Sequence, residues 1–228
     1  MNILLLITLV LLTNIIIFLI YTLFKKRGMY FSLILLNMIS FVMCFKVANI
    51  CKININLGII GIISSIAVIF IFIEKYKYKG LKELITLNFY SSVIMSLIIA
   101  IMNYYIPIIT ETISINMIGT FEYNYKILIF YPIIILLSQY LSIKLYKLLS
   151  VLQKNHNFNI IITYIIIGLL YTVIFSILSY IKTLDFSSSL FVGVSTYIIG
   201  IPIALISLII INFISNKKEE AWETLLLF

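Results

Sequence analysis

Residues 3–45 read ILLLITLVLLTNIIIFLIYTLF, then KKRG, then MYFSLILLNMISFVMCF. Two uncharged apolar runs, Ile3–Phe24 and Met29–Phe45, flank the cationic break Lys25-Lys26-Arg27-Gly28. A bilayer hydrocarbon core about 30 Å thick takes roughly 20 helical residues, so each run is long enough to cross or nearly cross one. The first run has no basic leader before it and no small-residue cleavage site after it, which reads as a retained helix and not a removed signal peptide. Lys and Arg between two such runs are what holds a loop in the cytoplasm.

The remainder of the chain repeats this pattern. Of 228 residues, 63% are hydrophobic and 11% charged, against roughly 45–50% and about 25% in soluble domains. That balance cannot cover a water-facing surface. It excludes a secreted disulfide scaffold, a disordered chain and a soluble enzyme domain attached to the spans. Cys44 and Cys51 have no nearby His or second Cys pair for zinc and read as apolar filler. No metal or other cofactor is expected.

Further spans follow at Ile55–Ile73, within Leu84–Thr110, at about Ile127–Leu149, at Phe158–Ile181 and within Phe186–Asn216. Gly58 and Gly61, near Ser64 and Ser65, permit close helix approach in the third. Tyr104 and Tyr105 suit an interfacial aromatic belt, and Glu111–Lys126 reads as a polar loop lying on the membrane surface. The fold expected is all-α: a polytopic integral membrane bundle of six to seven transmembrane helices, seven on the fullest count. Residues 1–216 form a single transmembrane domain, and 217–228 a short amphipathic tail in the cytoplasm.

With seven spans, Lys25, Lys26, Arg27, Lys75, Lys77, Lys79, Lys82, Lys144, Lys147, Lys154, Lys217 and Lys218 fall on one side. Lys46, Lys52, Lys126 and Lys182 fall on the other. A three-to-one bias over short loops places the N-terminus outside and the C-terminus in the cytoplasm, in a multi-pass protein of the plasma membrane. It also explains the formal charge of +8 without a nucleic-acid partner.

No ionisable residue sits at a span centre, which argues against a carrier or intramembrane protease built on a buried acid. Phosphate loops, dinucleotide-binding glycines and metal-ligand spacings are absent from the sequence, so no enzymatic activity is expected. His156, the single histidine, reads as a solvated loop residue. Mid-span polar residues carry what remains. Asn88, Ser92 and Ser96 recur every four residues and share one helix face, and Ser138 with Gln139 adds donors and acceptors one span later. Each alone reads as interhelical glue; together they are candidates to line a cavity for an uncharged polar ligand. The tail NKKEEAWETLLLF, residues 216–228, ends in an apolar cluster of Trp222, Leu225 and Phe228 that suits a membrane surface or a partner's groove.

At Glu74-Lys75-Tyr76, followed by Lys77, Lys79, Gly80 and Lys82, the chain resembles the vitamin uptake transporter family that includes queuosine-precursor transporters. Phe24-Lys25-Lys26-Arg27-Gly28-Met29-Tyr30, then Lys46 ahead of an apolar segment with Gly58, and later Val173-Ile174-Phe175, keep the same order. The resemblance implies a multi-span carrier of a nucleobase-like solute. The family pattern has an Asp where this chain has Phe70, an Asn where it has Phe41, and a Gln-x-x-Asp pair where it has Gly168 and Tyr171. It also has a Gly directly after the motif tyrosine, where Lys77 stands.

Two readings follow. In one, the protein moves a small uncharged polar solute of queuosine-precursor or other nucleobase-like type, with Lys46, Glu74, Asn88, Ser92 and Gln139 as cavity candidates. In the other, it is a non-transporting membrane subunit that anchors a protein partner, or a second copy of itself, through the loop Glu74–Glu83 and the tail residues Trp222, Leu225 and Phe228.

Overall fold

The computed structural model describes residues 2–50, 53–102, 125–153, 155–180 and 184–216. Six long apolar helices account for nearly all of these: α1 (Asn2–Met43), α2 (Ile59–Tyr76), α3 (Leu81–Met102), α4 (Tyr125–Leu152), α5 (His156–Tyr180) and α6 (Phe186–Asn216). The surface belt, Glu111 to Asn124, with Tyr104 and Tyr105, lies outside the described residues, as do Cys51 and the tail with Trp222, Leu225 and Phe228.

The first two expected spans are joined in α1, whose 42 residues would extend about 63 Å if straight, twice a bilayer core. The helix is broken where the charge cluster begins. Lys25 has φ 48° and ψ −122°, a non-helical conformation. Gly28, just beyond the break, lets the chain close on itself, because a Cβ there would stand 2.3 Å from the Ile20 carbonyl oxygen.

α2 is the axis of the bundle. Of its most apolar window 83% is buried, against 28–50% in the other helices, and α1 and α6 pack closely along it. The glycines expected to allow close approach do so: a Cβ on Gly61 would lie 2.6 Å from Ser40 Cβ and 2.8 Å from the Leu36 carbonyl oxygen. The surrounding helices turn large apolar side chains outward, among them Leu11, Leu19, Ile94, Leu97, Ile129, Leu137, Ile198 and Leu205. Such a surface is stable against acyl chains and would aggregate in water.

One element departs from the all-helical expectation. Val47–Ile50 and Ile53–Asn56 form an antiparallel hairpin, β1 and β2, with Val47 opposite Asn56 and Ile50 opposite Ile53. The third expected span therefore begins, as α2, at Ile59 and not at Ile55. The cause is visible in the residues: Asn49-Ile50 and Ile53-Asn54-Ile55-Asn56 alternate polar and apolar with the period of a strand. Ile50 and Ile55 are buried while Asn49 and Asn54 face out, bonded to each other across the strands at 2.8 Å.

The two ends of the bundle differ. At one, the segments following the break in α1 and following α2 meet, where Tyr30 Oη donates to Gly80 O at 3.2 Å and to Glu83 Oε2 at 3.3 Å. The end of α4 and the start of α5 meet Glu74 there too. At the other end, the hairpin covers the terminus of α1 and packs against α6.

Candidate functional site

Polar side chains collect on one face of the second half of α1. Asn37, Ser40 and Cys44, with Phe41 among them, follow the helical repeat and are all buried. They separate two polar clusters.

The first lies between α1, α3 and α4. Tyr131 Oη donates to Asn37 Oδ1 at 2.7 Å, and Asn37 Nδ2 donates to the Asn88 carbonyl at 3.2 Å and toward Ser91 Oγ at 3.4 Å. Asn37 is thus satisfied at both ends. Asn88 is not: its side chain is 0% exposed and neither Oδ1 nor Nδ2 has a hydrogen-bond partner. Leaving such a group unpaired in the interior costs about 1–3 kcal/mol. Gln139, also buried, has an unpartnered Nε2. Ser92 is buried but donates to Phe89 O in its own helix, and Ser96 donates to Ser92 O. The face shared by Asn88, Ser92 and Ser96 is turned inward as the four-residue spacing requires, yet only Asn88 keeps its full hydrogen-bonding capacity. Along α4, Tyr131, Ser138, Gln139, Ser142 and Tyr146 form the facing buried stripe.

The second cluster ties the hairpin down. Asn56 Nδ2 donates to the Cys44 carbonyl at 3.1 Å and to Tyr180 Oη; Asn56 Oδ1 accepts from Gly58 N at 2.7 Å; and Asn56 N donates to Thr196 Oγ1 at 2.9 Å. Tyr180 Oη donates to Cys44 O at 2.7 Å, and Ser195 Oγ to Asn54 O at 2.6 Å. Asn56 therefore caps α1, opens α2 and fixes the hairpin to α6 at once. Beside it is a cavity of about 10 Å3 lined by Asn56, Tyr171, Thr172, Phe175, Ser176 and Thr196, room for about one water. Tyr171 stacks on Phe175 with ring centroids 5.6 Å apart, and its buried hydroxyl lies beside the Cys44 thiol.

The five cavity candidates do not converge. Lys46 is exposed at the root of the hairpin, whereas Glu74 sits in the last turn of α2 at the opposite end, with Oε2 2.6 Å from His156 Nε2. His156 is not a solvated loop residue. It opens α5, and its other ring nitrogen lies 2.5 Å from Tyr146 Oη. The positions at which the family pattern has polar groups are filled by packing: Phe70 lies against Tyr146 and Tyr164, and Phe41 between Phe45 and Tyr131. Gly168 lines an apolar groove between α2, α5 and α6 with Ile59, Ile63 and Tyr197. Lys77, where the pattern has glycine, adopts φ 56° and ψ −140°.

Asn56, Tyr131 and Tyr180 anchor these clusters without having stood out in the sequence. Tyrosine is abundant here, with 16 in the chain, and Asn56 sits at the head of the expected third span close to Asn49 and Asn54. Among the described residues no group of three or more His, Cys, Asp or Glu side chains comes together. No protein family matches the chain, and no curated protein or solved structure is detectably similar to it.

Proposed function

We propose that the chain is a non-enzymatic, multi-pass protein of the plasma membrane that takes up a small uncharged polar solute, with a nucleobase-like edge, between α1, α3 and α4. The observation that carries this is Asn88, a buried carboxamide whose acceptor and donor are both free, next to the satisfied pair Asn37–Tyr131. A solute edge presenting an adjacent donor and acceptor pairs with both atoms of such an amide, the geometry by which Asn and Gln read a base. Gln139 Nε2 supplies a further donor on the facing helix.

In this reading α1 crosses twice, turning at Lys25, which gives seven crossings, an external N-terminus and a cytoplasmic C-terminus. Support comes from the loops that share one end. The segments at Lys26, Glu74–Glu83 and Tyr146–His156 are in mutual contact, as cytoplasmic loops of a seven-span chain would be. The glycine conformation at Lys77 supports the likeness to queuosine-precursor transporters, because that family has glycine at this step. A second reading, a subunit that anchors a protein partner, draws support from Lys77, Tyr78 and Lys79, which are all exposed in the turn between α2 and α3.

Uptake of a radiolabelled neutral deazapurine base by cells expressing the protein tests the solute reading. Uptake above vector-only cells is expected, falling about five- to thirtyfold in Asn88→Ala at equal membrane abundance, since it loses a pair of uncharged hydrogen bonds together worth about 1–2 kcal/mol, and about two- to tenfold in Gln139→Ala, which loses one. Failure to take up any neutral base, with insertion verified, retires it and leaves the anchoring reading.

A further inference from the structure

The cluster Tyr146, His156 and Glu74 lies at one end of the bundle, beyond Asn88 and Gln139, and holds neither of the side chains assigned to the solute. It joins three elements: Glu74 from the last turn of α2, Tyr146 from α4 and His156 from the first turn of α5. The imidazole stands between the other two, with Nδ1 2.5 Å from Tyr146 Oη and Nε2 2.6 Å from Glu74 Oε2. The His156 and Glu74 side chains are 29% and 31% exposed, so protons reach them from the aqueous side.

We propose that Tyr146, His156 and Glu74 form a proton-sensitive latch that holds the ends of α2, α4 and α5 together and tightens when the imidazole is charged. With a neutral ring, the Tyr146 hydroxyl donates to Nδ1, and Nε2, 2.6 Å from Glu74 Oε2 but not hydrogen-bonded to it, carries no charge to pair with the carboxylate. Adding a proton at Nδ1 turns the Tyr146 hydroxyl into an acceptor and makes the Glu74 contact an ion pair. The three helix ends stay joined in both states, more firmly in the acid one. The other groups facing the site do not reverse this sign. Tyr78, from the turn after α2, has a phenol held above its ordinary range by partial burial and stays protonated. Lys147, on α4, directs its ammonium over the Tyr78 ring at 5.8 Å. The latch also shares a helix face with the seam, since Tyr146 continues the buried stripe of Tyr131, Ser138 and Ser142, so loosening it frees the end of the helix that carries Gln139.

Hydrogen exchange on the full-length protein in lipid nanodiscs, at pH 5.5 and 7.5 and corrected for intrinsic rates, tests this. Amides of residues 70–78 and 156–162 are expected to exchange about two- to five-fold more slowly at the lower pH, the scale of one partly exposed ion pair, while residues 186–196 at the far end are unchanged. In His156→Gln and Glu74→Gln the pH effect vanishes. Tyr146→Phe, which keeps the charged pair, retains the pH effect on a faster baseline. Equal protection at both pH values in the wild type, or a pH effect that survives in His156→Gln, overturns the proposal.

Discussion

Lys77 is exposed and ends α2 with φ 56° and ψ −140°. With Lys25 it is one of two non-glycine residues of positive φ among the described residues, and its ψ puts it outside the left-handed helical well that Asn or Asp tolerates. Holding a Cβ there costs about 1–3 kcal/mol. Glycine removes that cost but returns roughly 0.5–1 kcal/mol through the freer unfolded chain. Lys77→Gly is therefore expected to stabilise the protein by about 1 kcal/mol, which for a chain of this size raises a thermal midpoint by about 2–4 °C. Lys77→Ala is the control: it removes the same charge and keeps the Cβ, so its midpoint should stay within about 1 °C of wild type by the same scaling. The assay is thermal unfolding of both variants in one detergent, followed by the loss of helical circular dichroism. If alanine and glycine shift the midpoint equally, the effect is one of charge and the backbone argument fails. If glycine lowers it, the conformation at Lys77 is not strained.

Asn56→Ala should destabilise the protein by about 2–4 kcal/mol, since it strips a partner from Gly58 N–H and from the Cys44 carbonyl in a buried setting; a loss below about 1 kcal/mol in detergent unfolding would mean that water replaces the amide there. Compartment-specific reporters fused to the two termini should light on opposite sides of the membrane, as seven crossings demand, and light on the same side would restore α1 to a single crossing.

The helices were legible because length and charge spacing are coarse properties. Lys25-Lys26-Arg27-Gly28 marked the break in α1 within a residue, and Gly61 marked a close helix approach, whose partner, Ser40, only the structure gives. Two features were harder to read. The hairpin lay in a stretch too short and too polar to register against the spans, although Asn49-Ile50 and Ile53 through Asn56 alternate as strands should. His156 is followed and preceded by asparagines, which suggests solvent; its partners are ten residues away on one helix and 82 on another, and only the packing of α2, α4 and α5 brings them together. Of the cavity candidates, Lys46 and Glu74 were drawn from a resemblance of local motifs, and such motifs carry no information on which end of a helix faces which.

The residues that carry the architecture are those that lipid makes conspicuous. In a water-soluble bundle the apolar stripe of a helix marks its inner face. Here acyl chains are as apolar as leucine, so apolar residues point both inward and outward and the marking falls to the polar ones. Asn37, Ser40 and Cys44 mark α1; Asn88, Ser92 and Ser96 mark α3; Ser138, Ser142 and Tyr146 mark α4; Thr172, Ser176 and Ser179 mark α5. All are buried. Many of their hydroxyls are absorbed by carbonyls three or four residues back in the same helix, which settles them at little cost and leaves them uninformative about ligands. A carboxamide is different, because it has a donor and an acceptor and cannot settle both on its own helix. Asn37 and Asn56 reach across to other elements and are satisfied. Asn88 faces the same interior with neither polar atom paired, and that contrast between like residues in like surroundings is what the proposed solute site rests on.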